Sequence, residues 1–297
     1  MNNEQQFDDL KQRVFERTQR EYSRISTVDP AKVVEDVFSF DRIKEQVDRL
    51  EKDIGPLMNR RVLEIGSGYG QFLVEAFTRS ADVYGVEPSL EGFYGETYDI
   101  TQAVLERSGV PVDRIINAFA EKLPFPDQSF DVVYSSNVLE HVADPEAVIR
   151  ESVRVLKPGG YLHMTVPNYG SFWEGHYVLF WMPYMPKWLA RGYVRFWGRD
   201  PSFIDSLQFI TVPWLQRILR EHQDILEVRS MGANIFRERM QSVCAGHWAG
   251  LQKIQGWLDR LNRWGMLNFV TGFAILINAQ TPIVCIAQKR LVSGNDI

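Results

Sequence analysis

From residue 61 onward the chain alternates short apolar runs with amphipathic stretches. The runs are RVLEIG from Arg61, DVYGVE from Asp82, RIINAF from Arg114, FDVVYSS from Phe130, GYLHMTV from Gly160, ILEVRSM from Ile225 and PIVCIAQ from Pro282. Short β-rich runs between helical patterns predict βα units, hence an α/β fold on a mostly parallel seven-stranded sheet with helices on both faces. Residues 1–60 read differently. Two helical patterns, Asp8 to Arg24 and Phe38 to Ile54, carry Phe7, Val14, Phe15, Tyr22 and Phe40, Ile43, Val47, Leu50 as apolar stripes, and predict a helical cap on the 61–297 domain. The helix after the fourth run has Asp144 as N-cap, Pro145 at its first position and Lys157-Pro158-Gly159-Gly160 as its stop.

Two segments break the alternation, Tyr169 to about Gln223 after the fifth run and Asn234 to about Gln280 between the last two, and helical insertions are expected there. Ligands of open α/β sheets bind outside the carboxyl ends of the strands. Tyr169 begins at such an end, so the first insertion should wall a substrate site. The most apolar stretch, Met266 to Ile277, is interrupted by Asn268, Thr271 and Gly272 and falls short of the ~20 apolar residues that span a bilayer. It reads as a buried helix.

Composition divides the chain. Before residue 165 there are 19 basic and 29 acidic groups, after it 14 and 9, and all eight tryptophans lie between Trp173 and Trp264, inside the insertions. The 45% apolar and 24% charged residues exclude disorder and fibrous structure. Cys244 and Cys285 form no CxxC pair or Cys/His cluster, so neither a disulfide framework nor a metal site is expected. The polar N-terminus lacks the apolar run of a secretory signal, and a cytoplasmic protein is expected.

The chemistry concentrates at Glu64-Ile65-Gly66-Ser67-Gly68-Tyr69-Gly70, a strand running into a glycine turn and then a helix. Alternate glycines let a ligand approach main-chain N–H groups without meeting a Cβ. At the end of the second run, Glu87 before Pro88 can take both hydroxyls of a ribose. A dinucleotide or S-adenosylmethionine fits this pattern, since both contain adenosine. Gln71 stands where the third glycine of GxGxxG would be, and Glu64 would repel a pyrophosphate but attract an amino group or sulfonium. The pattern favours the cation, S-adenosyl-L-methionine.

With Ala120-Glu121-Lys-Leu-Pro-Phe-Pro-Asp-Gln-Ser-Phe-Asp-Val-Val133 and Ser136-Asn-Val-Leu-Glu-His-Val142 leading to Leu156-Lys-Pro-Gly-Gly160, the chain resembles the class I S-adenosylmethionine-dependent methyltransferases, especially the ubiquinone/menaquinone methyltransferase-like (type 11) group. The resemblance covers residues 61–167 and implies a Rossmann-like sheet and a small-molecule acceptor. It implies that Glu64, Gly66, Ser67, Gly68, Tyr69 and Gly70 hold the methionine end, that Glu87 and Pro88 meet the ribose, that Ala120 and Glu121 sit beside the adenine, and that Asn137 faces cofactor and substrate. Phe119 stands where the group often has an aspartate, and either stacks on the adenine or belongs to the core. Ser135-Ser136-Asn137-Val138 replaces the motif of nucleobase amino-methyltransferases, and the chain is net acidic, so no nucleic-acid partner is expected.

For methyl transfer to oxygen a base is useful. His176, on the segment after the fifth run, is the preferred one. Glu174 orients it or acts in its place, and His141, in the motif, either takes part or caps the following helix. His163, His222 and His247 read as structural. Asn168, Tyr169, Trp173 and Tyr177 are the candidate acceptor contacts, for a sugar, quinone, phenol or lipid-linked hydroxyl. In residues 185–199, Arg191, Arg195 and Arg199 interleave with Trp188, Tyr193, Phe196 and Trp197, which makes either a solvated face over an aromatic core or an interfacial helix on anionic lipid. The competing function is a non-catalytic binding or scaffold protein on the same fold.

Overall fold

A computed structural model of the chain describes residues 5–90, 96–243 and 252–291; Cys244 and His247 lie outside them. Five parallel strands form the sheet's body: β1 (Arg61–Ile65), β2 (Asp82–Val86), β3 (Ile115–Ile116), β4 (Phe130–Ser136) and β5 (Leu156–Val166). A two-residue hairpin, β6 (Trp173–Glu174) and β7 (Leu179–Phe180), leaves the sheet, which β8 (Leu226–Ser230) and β9 (Ile283–Lys289) complete. The order β3-β2-β1-β4-β5-β9-β8, with β9 antiparallel to both neighbours, is the seven-stranded arrangement expected. The chain turns back between β1 and β4, and ligands bind at the carboxyl ends of strands at such a switch point. The glycine turn follows β1, and the Ser136–Val142 motif follows β4.

Val62, Leu63 and Ile65 are buried because helices cover both faces of the sheet. On one face lie α1 (Asp8–Tyr22), α2 (Pro30–Val37), α3 (Phe40–Ile54), α4 (Gln71–Thr78) and α5 (Thr97–Arg107), where Leu10, Val47 and Leu50 of the cap share one core with Phe72, Leu105 and Val132. The apolar pattern does not mark α2, although Asp29 accepts from Ala31 N at 2.9 Å and Pro30 opens the helix, the same two start signals as at Asp144-Pro145. The other face carries α6 (Pro145–Val155), capped by Asp144 on Ala147 N at 3.0 Å, and α9 (Val212–Glu221).

The first insertion folds on its own core. Helices α7 (Lys187–Phe196) and α8 (Ser202–Ser206) enclose Tyr169, Tyr177, Trp181 and Val194 together with Ile25 of the cap. The second comprises α10 (Ala233–Val243), α11 (Gln252–Arg263) and α12 (Leu267–Leu276). Here the expectation of a buried helix is corrected. Only Leu267 and Thr271 of α12 are buried, while Phe269 and Leu276 are 74% and 77% exposed and Phe273 is exposed too. The helix packs one narrow side on α10 and α11, so its apolar composition does not mean a core position. No helix among the described residues is long and apolar enough to cross a membrane.

Candidate active site

The turn after β1 is fastened from below and open above. Gly66 N and Ser67 N donate to Val86 O at 2.9 and 3.2 Å, and Gly68 N donates to Glu87 Oε2 at 2.9 Å. All three glycines have positive φ, from +52° to +81°. A Cβ at Gly66 would overlap Val138 Cγ2, so glycine is needed there for the β4 loop to close on the turn. A Cβ at Gly68 would meet no atom within 4 Å. That open cradle is where a ligand can reach the main chain.

Both acids predicted for the cofactor stand beside it. Glu64 is buried, and its Oε2 has no hydrogen-bond partner. Burial first and then the neighbouring Glu87 push its carboxyl well above the ordinary range. Burial lifts Glu87 to about 7, although Gly68 N–H and the Arg17 guanidinium pull it down. A buried carboxylate without a partner is costly, and a cationic ligand relieves it. The open cradle and the orphaned Glu64 oxygen therefore fit S-adenosylmethionine.

Other predicted residues fall differently. Tyr69 turns toward the cap, its ring stacked on Phe38 at 5.6 Å and its hydroxyl receiving a hydrogen bond from Arg17. Arg17, Phe38 and Thr101, whose hydroxyl donates to Gly68 O, brace the turn, and nothing in the sequence motif points to them. Ala120 is buried and Pro88 half-buried near the strand ends. Phe119 is 58% exposed, which excludes the core alternative. Glu121 instead accepts from Ala143 N at 3.0 Å and Asp144 N at 3.4 Å, tying down the loop before α6. Asn137 adopts φ +56° at the end of β4, with its N–H donating to Thr165 O at 2.8 Å. An asparagine tolerates this left-handed position, which turns the chain sharply after the strand.

Four titratable groups meet where the β4 loop faces the first insertion. His176 Nδ1 lies 2.7 Å from Glu174 Oε1, and Glu174 also accepts from Tyr177 N at 2.6 Å and the Tyr169 hydroxyl at 3.3 Å. His141 and His176 have ring centroids 5.2 Å apart, and His141 Nε2 lies 3.7 Å from Glu140 Oε1. The cap of α6 is Asp144, so His141 does not serve that purpose. Glu140 is fully buried and neither of its oxygens has a hydrogen-bond partner. Burial lifts its carboxyl to about 7 and lowers His141 to about 3, with adjacent His176 adding to the latter. For His176 burial opposes the charge, but Glu174 and Glu140 outweigh it and raise the imidazole above its ordinary value. Glu140 lies inside the quoted Ser136–Val142 motif but gave no sign of a role, because only the fold brings His176 to it.

The candidate acceptor residues mostly hold this arrangement rather than line an opening. Asn168 Nδ2 donates to Asn278 O at 2.8 Å and Gln280 O at 2.7 Å, tying the β5 end to the second insertion. Tyr169 stacks on Phe209 at 4.2 Å, and Tyr177 is buried with its hydroxyl donating to Asp200 O at 2.8 Å. Trp173 alone of the four is part exposed. His163 is buried against Tyr134 at 5.5 Å and His222 ends α9. A cavity of about 910 Å³ lies beside Asp48, Arg49, Tyr161 and Gln288, at the other end of β5 from this cluster.

Residues 63–164 match the family described as "Methyltransferase domain". That stretch is similar to a methyltransferase domain, in line with the resemblance its motifs carry. It is 31% identical over 153 residues to the ubiquinone biosynthesis O-methyltransferase of Rhizobium rhizogenes, covering 51% of this chain and 58% of that one. Against the demethylmenaquinone methyltransferase of Geobacillus kaustophilus it is 27% identical, covering 76% and 86%. The chain thus spans little more than half of the first relative's length. Its fold is similar to that of a putative sarcosine dimethylglycine methyltransferase from Galdieria sulphuraria, with 14% identity, 96% and 99% coverage and a TM-score of 0.50. S-adenosylmethionine is the domain's cofactor, and Glu64, Glu87 and the Gly66–Gly70 main chain are the groups that suit it.

Proposed function

We propose that the chain methylates a hydroxyl of a small-molecule acceptor of the phenol or quinone-precursor type. The observation that carries this reading is the His176–Glu174 pair of the first insertion, which faces the β4 loop whose Val138 closes on the glycine turn. The O-methylating relative supports oxygen as the acceptor atom. When bound, S-adenosylmethionine supplies a methyl carbon that the acceptor oxygen attacks, the C–S bond breaking with its electron pair left on sulfur. The chain's residues then have three tasks.

The glycine turn and both acids fix the donor, and alignment of two reactants is worth ~7–11 kcal/mol. The insertion core excludes water. His176 takes the hydroxyl proton, because Glu174 on Nδ1 holds the proton there and leaves Nε2 with its lone pair. The neighbouring carboxylates make the imidazole a stronger base and stabilise the imidazolium it becomes.

Turnover of an ortho-diphenol panel with labelled S-adenosylmethionine tests this. His176→Ala should lose ~10²–10⁴-fold in rate, keep its affinity for S-adenosylhomocysteine and lose the fall in activity at low pH. An unchanged rate and pH profile would remove His176 from the mechanism. Absence of methyl transfer to any hydroxyl, with cofactor still bound, favours the binding-protein reading.

We also propose that α7 touches anionic lipid. Trp188 and Phe196 are 74% and 83% exposed and Trp197 is exposed, so the aromatic-core alternative holds only for Tyr193, whose hydroxyl donates to Phe180 O at 2.8 Å. Arg191 and Arg195 share the helix with them, a composition suited to the headgroup boundary. Co-sedimentation with anionic vesicles at low salt, lost in Trp188→Ser/Phe196→Ser, is the expected result; no binding overturns it.

A further inference from the structure

We propose that Glu140, His141 and His176 form a binding site for a divalent transition-metal cation of the zinc type. Their donor atoms all lie within 4.8 Å of one another, and Glu140 Oε1 is 3.7 Å from His141 Nε2. Ligands bound at ~2.0–2.1 Å in a tetrahedron stand about 3.4 Å apart, so side-chain movements of about 1 Å complete the site. The inference rests on the reading that this cluster handles the acceptor.

Glu140 gives the proposal its weight. It has no exposed surface, and both of its oxygens lack a hydrogen-bond partner. A buried carboxylate in that condition is costly unless it is paired or coordinates a metal. Its Oε1 is 3.7 Å from His141 Nε2, and His176 lies close enough for a cation between the three groups to neutralise it.

His176 is built as metal-ligating histidines are. Its Nδ1 is held by Glu174 at 2.7 Å, and Glu174 is in turn fixed by Tyr177 N at 2.6 Å and the Tyr169 hydroxyl at 3.3 Å. A carboxylate on one imidazole nitrogen orients the ring and aims the other at a metal. Two imidazoles and one carboxylate suit zinc, cobalt or iron(II), whereas magnesium and calcium prefer oxygen donors. Three protein ligands also leave a position open, as catalytic sites do.

The open position would take the acceptor oxygen. In the metal-loaded chain His176 Nε2 is a ligand rather than a base, so the hydroxyl ionises on the cation and its proton goes to water. Methyl transfer to the metal-held oxygen then proceeds as before. The sequence could not reveal this set, since Glu140 and His141 follow β4 while His176 comes from the insertion.

Chelator-stripped full-length chain titrated with Co²⁺ tests the site. The expected result is one Co²⁺ per chain with the visible absorption of a low-coordinate ion, displaced by Zn²⁺ and not by Mg²⁺. Glu140→Gln and His176→Asn should abolish the band, and Glu174→Gln should weaken binding by about 10–100-fold, all three still binding S-adenosylhomocysteine. No band in the native chain, a band that survives Glu140→Gln, or displacement by Mg²⁺ overturns the proposal. Should the variants fail to fold, anomalous scattering at the zinc edge from native crystals decides, a peak among the three residues supporting the site and none there overturning it. Metal binding without hydroxyl methylation would refute the proposed function and leave the site standing, and methylation without metal binding would do the reverse.

Discussion

Glu87→Gln should strengthen the fold and weaken the cofactor site. Burial lifts the Glu87 carboxyl from an ordinary 4.5 to about 7. A carboxyl whose folded value lies above its unfolded one holds its proton more tightly in the folded state, so ionising it destabilises the fold. The loss sets in above about 4.5 and is complete above about 7. At about 1.36 kcal/mol per pH unit it reaches about 3 kcal/mol. The glutamine keeps an oxygen for Gly68 N–H, now 2.9 Å from Glu87 Oε2, but carries no charge. Urea denaturation should therefore find the variant within about 1 kcal/mol of the native chain at about pH 5 and about 3 kcal/mol more stable at about pH 8. Titration with S-adenosylmethionine should move the other way. Hydrogen bonds to a charged acceptor are worth ~1.5–3 kcal/mol, so affinity should fall ~10–100-fold. A variant no more stable than the native chain at pH 8 would refute burial as the origin of the shift, and undiminished affinity would refute the ribose assignment.

Gly66 and Gly68 should separate folding from binding. Gly66→Ala drives a methyl into Val138 at φ +70° and should cost 2 kcal/mol or more, about 1–3 from overpacking and the rest from the left-handed backbone, read as a lower Tm. Gly68→Ala meets nothing within 4 Å and should cost about 1 kcal/mol, yet lose S-adenosylhomocysteine binding at least about tenfold; retained binding would show that the ligand does not approach there. Glu121→Ala frees Ala143 N and Asp144 N, so it should lower stability by about 1–2 kcal/mol; unchanged cofactor affinity would limit Glu121 to that loop, and a loss of affinity would support its adenine-side role. Phe269→Ser on α12 should stay within about 0.5 kcal/mol of the native stability; a large loss would mean that the helix is covered after all.

What could be read in advance divides along the chain for a physical reason. The strands were legible because burial on both faces forces a continuous apolar run, and the glycine turn because its left-handed residues and its two acids are local requirements. Even α2 was legible, since Asp29-Pro30 is the same start signal as Asp144-Pro145. The cofactor half is thus written in short segments. The acceptor half is written in contacts between distant ones. Glu140 and His141 could be quoted as part of a motif, and Glu174 and His176 proposed as a pair, but nothing in either segment says that they meet. Likewise Tyr177 is a candidate acceptor contact by its place beside His176, whereas it is buried in the insertion's core with its hydroxyl on Asp200. Periodicity failed at α12 because an apolar helix with one narrow buried side has the composition of a core helix. The division of charge and tryptophan near residue 165 therefore marks where local rules stop sufficing. The acidic part carries the open glycine turn and its two buried acids, and the tryptophan-rich part brings His176 and Glu174 to Glu140 only when the insertion folds back onto the β4 loop. The cluster at Glu140 straddles that division, so its occupant will decide how much of the acceptor chemistry belongs to the family and how much to this chain's insertion.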